Sequence, residues 1–381
     1  MAAWQLASRG HRVVAVDRFP VPGPFSAYSG ESRVFRMIYM EGGHYTPLLQ
    51  RAQSLWRQLE TVSGTELLHI TGAVTLTHKD HPEHAAMLTA GRDRGLTFDV
   101  LTGADAAQRL PLHTLRDDDV ALFDPEGGFV RSERAVCAAI REAELAGATF
   151  LGQRTVLDLD KVGNNWRVQT DQEAIVAPRV IVATGTGAGR LCSTLGTRLA
   201  IRPQVLTWFP IKNPTEYARH PQEVFIRRAD PVKFYGFPSS DGWTVKVAAS
   251  IYLDNVDSFD RPISWDPAHL DTISSWVADL LPALEPQPVR VAVCADGYTP
   301  DDTALLGAVP GMDGVVVAVG FSGHGFKMAP ALGAVAADLA VDGKTDTDVT
   351  FMNPGRFLPS GSTVSSLPVA TKPAAAALQG M

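Results

Sequence analysis

The sequence predicts an α/β chain, α+β overall, built as a discontinuous Rossmann-like domain with a second domain around a mixed or antiparallel sheet. Three observations predict this. A glycine-rich turn, Gly320-Phe-Ser-Gly-His-Gly-Phe-Lys327, joins a buried-strand pattern (Gly314 to Val319) to a helical pattern (Met328 to Val341). Strand and helix patterns recur together in separated blocks, at the start of the chain, at 126–190 and at 314–345. Between those blocks, above all at 201–253, β-branched and aromatic residues alternate with turns, which is the signature of sheet. The alternation assigns 1–70, 126–198 and 293–352 to the first domain and 71–125 and 199–292 to the second, with a site at their junction.

The elements follow in order. Ala2 to Arg9 reads as a short helix stopped by Gly10, and His11 to Asp17 as a buried strand ending in an acid. Such an order matches the second half of a dinucleotide-binding βαβ unit, where the acid binds a ribose hydroxyl about 20 residues after a glycine fingerprint. That spacing puts the fingerprint ahead of Met1 and predicts a gene product starting roughly 15–20 residues earlier; alternatively, Asp17 merely ends a strand. Residues 44–60 carry Leu48, Leu49, Ala52, Leu55, Trp56 and Leu59 on one helical face. Thr71 to Thr77 is strand-like, and Pro82 to Arg94 is helical. Ser132 to Ala146 reads as a helix with Ser132 as candidate cap. Thr149 to Leu159 and Trp166 to Thr170 read as strands around a turn at Gly163-Asn-Asn, and Arg179 to Gly185 as a strand ending at a glycine turn. Pro267 to Leu281 is helical with Asp266 as cap, 290–319 returns to short strands, and from Pro359 the Ser, Pro and Ala content predicts a disordered tail.

Composition removes several function classes. A chain of 381 residues, 45% hydrophobic, has the length of about two domains. A net charge of −7 with no compensating basic face argues against nucleic acid. No apolar run is long enough to span a membrane, and no secretory signal is visible. Cys137, Cys192 and Cys294 are too widely spaced for a disulfide framework or a zinc site. A cytoplasmic protein without a metal is expected.

Four groups of residues can carry chemistry. The three glycines of the Gly320–Lys327 turn let backbone approach a ligand, and a helix start there favours an anionic atom; a packed strand–helix turn accounts for them equally well. Arg33 and Arg36 follow Gly30-Glu-Ser32. A spacing of three puts both on one side of a helical turn, where guanidinium groups either bind a carboxylate or stay solvated on the surface. Lys246 interrupts the apolar run Trp243 to Ala249. It either faces solvent by strand alternation or is a buried cation that stabilises an anion formed in a reaction. Cys294 closes the run Val289 to Cys294 and alone reads as an inert core residue; His324 either orients the loop or is structural.

Together, Gly30-Glu-Ser-Arg-Val-Phe-Arg36, Tyr235-Gly-Phe-Pro238 with Lys246, Ala292-Val-Cys294 and Gly320 to Lys327 resemble the monomeric sarcosine oxidase family of flavoenzymes, which includes N-methyltryptophan oxidase. The resemblance covers nearly all of 1–352. It implies a two-domain fold with FAD tied through a Cys294 thioether to the 8α carbon of the flavin ring. It also implies oxidation of a secondary or cyclic amine of an amino-acid-like carboxylate, with oxygen as acceptor and hydrogen peroxide as product. By the same resemblance Lys246 promotes the oxygen step and Arg33 packs near the flavin, while Arg36 and Lys327 hold the substrate carboxylate beside Tyr235 and Ser250. Asp17, Arg18, Ser32, Val156, Gly185, Gly323, His324 and Gly325 are the remaining cofactor positions it implies.

The sequence departs from that pattern in three places. The glycine-rich phosphate loop and first strand are missing, Ser29 stands near a frequent family histidine, and Ser250 replaces a substrate-facing histidine four residues after Lys246. These departures imply a different amine, such as a cyclic imino acid or a biosynthetic intermediate. They also keep two alternatives open: a flavin dehydrogenase with another electron acceptor, and a non-catalytic protein that binds a carboxylate.

Overall fold

The computed structural model describes residues 1–23, 26–197, 199–250, 255–256 and 267–358. Asp266, the expected helix cap, and the expected tail from Pro359 lie outside the described residues.

The largest sheet has eight strands. Their order is Arg290–Tyr298, Ala200–Pro210, Thr244–Ala249, Val232–Gly236, Val224–Ala229, Ala73–His78, Asp119–Asp124 and Asp99–Thr102. Every pairing is antiparallel except that of Val224–Ala229 with Ala73–His78. The sheet is therefore mixed, as the residue pattern predicts. Its centre carries an ion pair that no apolar pattern announces: Arg227 and Asp119 are both fully buried and bonded side chain to side chain. A buried charge is tolerated only when paired.

The parallel strands form two smaller sheets. Val14–Val16 pairs in parallel with Thr149–Leu151. Val180–Val182 pairs in parallel with Val315–Val319, which also takes Leu305–Ala308 as an antiparallel neighbour. Both parallel blocks end in exposed residues, Asp17 in one and Ala183 to Gly185 in the other. Carboxyl ends of parallel strands are where such sheets meet ligands. The expected long strands are shorter here: His11 to Asp17 keeps Val14–Val16, and Thr149 to Leu159 splits into Thr149–Leu151 and Val156–Val162. The break comes where Arg154 turns its N–H to the Asp17 carbonyl, 2.9 Å away.

A helical layer packs on the parallel strands. Ala2–Ser8, Thr46–Ser63, Ser132–Leu145 and Ala329–Asp342 share one core with Trp4, Leu49, Trp56, Ala139 and Val335. Ala329–Asp342 is buried on almost every side, and its run of alanines allows helices to approach closely. Asp338 on it takes Arg9 at 2.6 Å and Arg51 at 3.1 Å, tying three helices together. Ser132 is not the cap of its helix. Arg131 holds that position, Ser132 is the first helical residue, and its Oγ is buried with no partner among the described residues. Glu133 uses its carboxylate on the chain segment described next.

Candidate active site

Another sheet, of the strands Ser32–Phe35, Gly128–Arg131 and Leu68–His69, carries Arg33 and leads into Arg36. Arg33 and Arg36 are not on a helical turn. Arg33 is in an extended strand and Arg36 follows it directly, so a spacing of three sends their side chains to opposite faces. The segment is pinned at both ends by acids, the half-buried Glu133 and the buried Asp124. Glu133 accepts the N–H groups of Gly30 (2.7 Å) and Glu31 (2.8 Å). Asp124 accepts those of Met37 (2.7 Å) and Ile38 (3.1 Å).

Arg33 and Lys246 form one pole. Lys246 is 3% exposed, so the solvent-facing alternative fails. The eight-stranded sheet is covered on that face, and the ammonium donates to the carbonyls of Gly30 (2.6 Å) and Ser32 (2.9 Å). It lies 4.7 Å from the Phe237 ring centroid and 5.8 Å from that of Trp208. Burial, then the charge of Arg33, pushes the Lys246 pKa well below that of an ordinary lysine. The guanidinium of Arg33 is held by the carbonyls of Ala27, Ser29 and Ser32. Cys294 is 9% exposed and packs with Leu206, Trp208 and Ala248. Burial raises its thiol pKa, and Arg33 and Lys246 oppose that rise. A thiol and two cations thus share one environment.

Arg36 and Lys327 form the other pole, on the ring of Tyr39. The Arg36 guanidinium carbon is 5.2 Å from that ring centroid and the Lys327 ammonium 4.8 Å. Lys327 also bonds the Tyr39 hydroxyl (3.3 Å) and the His324 carbonyl (3.2 Å). Trp56 fixes its backbone through an Nε1 bond to the Lys327 carbonyl at 2.9 Å. Both cations are buried, at 6% and 7% exposure, which is rare for such residues. Burial first, then Arg36, lowers the Lys327 pKa to about 7 against the opposing pull of Glu41. Arg36 gives one nitrogen, Nη2, to Glu41 at 3.1 Å. Its Nε and Nη1 are buried and have no partner among the described residues.

The Gly320–Lys327 turn lies between the poles. It does not lead straight into the helix: a short 3₁₀ turn, Phe326–Met328, carries Lys327, and Ala329–Asp342 starts only afterwards. The helix itself begins one residue from the expected Met328. Gly320 and Gly323 adopt φ of +69° and +81°, which glycine reaches without strain. His324 directs Nδ1 at the Ser322 carbonyl (2.9 Å) and Nε2 at the Tyr45 hydroxyl (3.4 Å).

The other expected residues fall in two places. Tyr235 pairs with Ala248 in the sheet and meets Phe237 edge-on at 5.8 Å; Ser250 continues from Ala248 and donates its N–H to the Lys233 carbonyl (2.8 Å). Asp17, Arg18 and Gly185 lie at the ends of the parallel strands, and Val156 opens the antiparallel strand Val156–Val162. Asp17 is exposed and accepts the Phe19 N–H at 2.8 Å, Val156 accepts from Arg190 at 2.6 Å, and Gly185 has open space where a Cβ would be. Three residues are not foreseen from sequence: Glu41 and Tyr39, which complete the Arg36 pole, and Asp296. A signal for Asp296 exists, since it lies two residues beyond Cys294 and so on the same face of one strand.

The scan against family models matches residues 1–339 to the family described as FAD dependent oxidoreductase. The chain belongs to that family. It is 29% identical to the monomeric sarcosine oxidase of Streptomyces avermitilis, covering 93% of this chain and 94% of that relative. It is 27% identical to an N-methyl-L-tryptophan oxidase of Yersinia pestis, covering 93% and 95%. Among solved structures it is similar to NikD, an unusual amino acid oxidase essential for nikkomycin biosynthesis. The TM-score is 0.82 at 25% identity, over 93% of each chain. The donor set agrees with a flavin: a thiol on a strand beside the buried Lys246 and the half-buried Arg33, a glycine turn, and exposed ends of parallel strands. FAD dependence is thus a property of the family and fits the residues present.

Proposed function

We propose that this chain oxidises the secondary or cyclic amine of an amino-acid-like carboxylate and passes the electrons to oxygen, releasing hydrogen peroxide. One observation carries the reading. The buried Nε and Nη1 of Arg36 have no protein partner among the described residues, and a second buried cation, Lys327, shares the ring of Tyr39 with them. Each of these N–H groups can give a carboxylate oxygen a charge-assisted hydrogen bond. The names of the relatives, oxidases of N-methylated amino acids and an unusual amino acid oxidase, support the same substrate class.

FAD, when bound, supplies the redox chemistry: it takes the electron pair from the substrate C–H bond and delivers it to oxygen. The residues of the chain do the rest. Cys294 is the thioether ligand of the ring, and Asp17, Arg18, Ser32, Val156, Gly185, Gly323, His324 and Gly325 contact the remainder of the cofactor. Arg36 and Lys327 fix the carboxylate, which holds the neighbouring C–H bond in one orientation. Lys246 supplies positive charge where charge develops on oxygen, in a dry setting that strengthens it, and Arg33 sets the field beside it. Tyr235 and Ser250 border the amine. Because serine at 250 is smaller than histidine and cannot act as a base near neutral pH, a cyclic imino acid or a biosynthetic intermediate fits better than sarcosine.

The same reading divides the chain into a cofactor region (1–70, 126–198, 293–352) and a substrate region (71–125, 199–292). The parallel strands fall in the first and the eight-stranded sheet in the second, save that Arg290–Tyr298 runs across their boundary. No helix among the described residues is long and apolar enough to cross a membrane, and the three cysteines are unpaired; a reducing cytoplasm accords with the thiols. The test is anaerobic mixing of the yellow protein with N-methyl and cyclic amino acids, followed by peroxide assay in air. Bleaching by a secondary amine with peroxide release is expected. Bleaching by plain primary amino acids alone would overturn the amine assignment, and bleaching without peroxide would overturn the role of oxygen.

A further inference from the structure

We infer that Asp296 is a positioning residue, which clamps the Gly320–Lys327 turn to the Cys294 strand and sets the negative charge of the site against Arg33. Cys294 and Asp296 are two apart on the strand Arg290–Tyr298 and face the same way. The Asp296 carboxylate accepts the Gly323 N–H through Oδ2 at 2.8 Å and the Gly297 N–H through Oδ1 at 2.8 Å. It is the first of four consecutive residues that hold the turn. The Gly297 carbonyl accepts the Ser322 N–H (3.0 Å), the Thr299 N–H reaches Ser322 Oγ (3.3 Å), and the Tyr298 hydroxyl lies 2.6 Å from where a Cβ on Gly323 would be.

Of these four, Asp296 alone contributes a full charge. Burial raises its pKa, while the two N–H groups and Arg33 favour the carboxylate. It acts on both poles. Through Gly323 it fixes the turn that leads to His324 and Lys327, and by its charge it opposes Arg33 on the face of Cys294. Neither function follows from the proposed reaction, which assigns Asp296 no part; only the flavin and acetate measurements below rest on that reading.

The experiment compares Asp296→Asn and Asp296→Glu with the parent holoenzyme. Asn keeps the size but loses the charge and one acceptor; Glu keeps the charge but misplaces it. Three quantities are read: hydrogen exchange of residues 320–327, the flavin midpoint potential, and the Kd of acetate from the flavin absorbance change. Asp296→Asn should speed exchange across the turn, raise the midpoint potential because reduction no longer opposes a carboxylate, and weaken acetate about tenfold, the scale of one lost charged hydrogen bond. Asp296→Glu should speed exchange yet leave the potential near that of the parent. Unchanged exchange and unchanged potential in Asp296→Asn would overturn the inference. If that variant holds no flavin, exchange in the full chain still decides, and protection of the turn equal to the parent's overturns it. Acetate that fails to bind the parent protein overturns the carboxylate reading of Arg36 and Lys327 instead.

Discussion

Lys327 has two charged neighbours, Arg36 and Glu41, and burial outweighs the one that helps it. With a pKa of about 7, against 10.5 ordinarily, it loses its proton near neutral pH in the free protein. Between about 7 and 10.5 the unfolded chain binds a proton that the folded chain lacks, so this residue makes the fold more stable as pH rises through that window. A bound carboxylate reverses the preference, because it favours the ammonium. Acetate should therefore bind best below pH 7 and weaken by up to about tenfold per pH unit above it. Lys327→Met should bind weakly and show no such slope; titrations of the flavin absorbance at several pH values check both. Glu41 sits in the same field: burial acts to raise its pKa, but Arg36, Lys327 and His324 more than offset that and hold it below the usual range. At the other pole, Lys246→Met should leave anaerobic flavin reduction within about a factor of ten and slow reoxidation by oxygen by two or more factors of ten, on the scale of a lost electrostatic donor. Stopped-flow measurement of the two half-reactions separates them.

At the scale of elements, the glycine turn is where sequence reading succeeds and where it errs. The strand, turn and helix are legible from their hydrophobic periods and from three glycines. The 3₁₀ turn at Phe326–Met328 is not, because three residues carry no hydrophobic period of their own. Arg33 and Arg36 mislead for a related reason: a spacing of three suits a helical turn, and only pairing with Gly128–Arg131 makes that segment extended. Lys246 is ambiguous on local pattern, since burial of its face depends on the segment at Gly30 to Ser32, more than 200 residues away. Gly320 offers a direct check of the turn. Its φ is +69°, and a Cβ there would lie 2.8 Å from Thr299 Cγ2 and 2.9 Å from Leu199 Cδ2. Gly320→Ala should cost about 2 kcal/mol from the left-handed backbone alone, and a lowered thermal midpoint measures it.

On the scale of the whole molecule, the fold class was readable because strands and helices come in blocks with different periods. The pairings across those blocks were not, nor was the Arg227–Asp119 pair, since a charged pair in mid-sheet has no local signature. The eight-stranded sheet and the turn after Val315–Val319 meet through Asp296 and Gly297, on the strand that also carries Cys294. A thioether at Cys294 predicts colour that stays with the polypeptide: acid precipitation should give a yellow pellet and a colourless supernatant, and Cys294→Ala should release its flavin on the same treatment. Flavin wholly in the supernatant of the parent protein would exclude the linkage.

The bonds from Lys246 to the Gly30 and Ser32 carbonyls have a consequence for how this protein can change over generations. The ammonium closes a gap between two sheets as well as serving the chemistry proposed for it. Replacement at 246 then removes one donor from each of two carbonyls, which keep the Ser32 N–H and the Arg33 guanidinium, whereas a shift of the backbone at 30–32 strands the lysine. The segment at 30–32 therefore cannot drift without the lysine, and a lysine retained after activity is lost would mark the architectural half of its work.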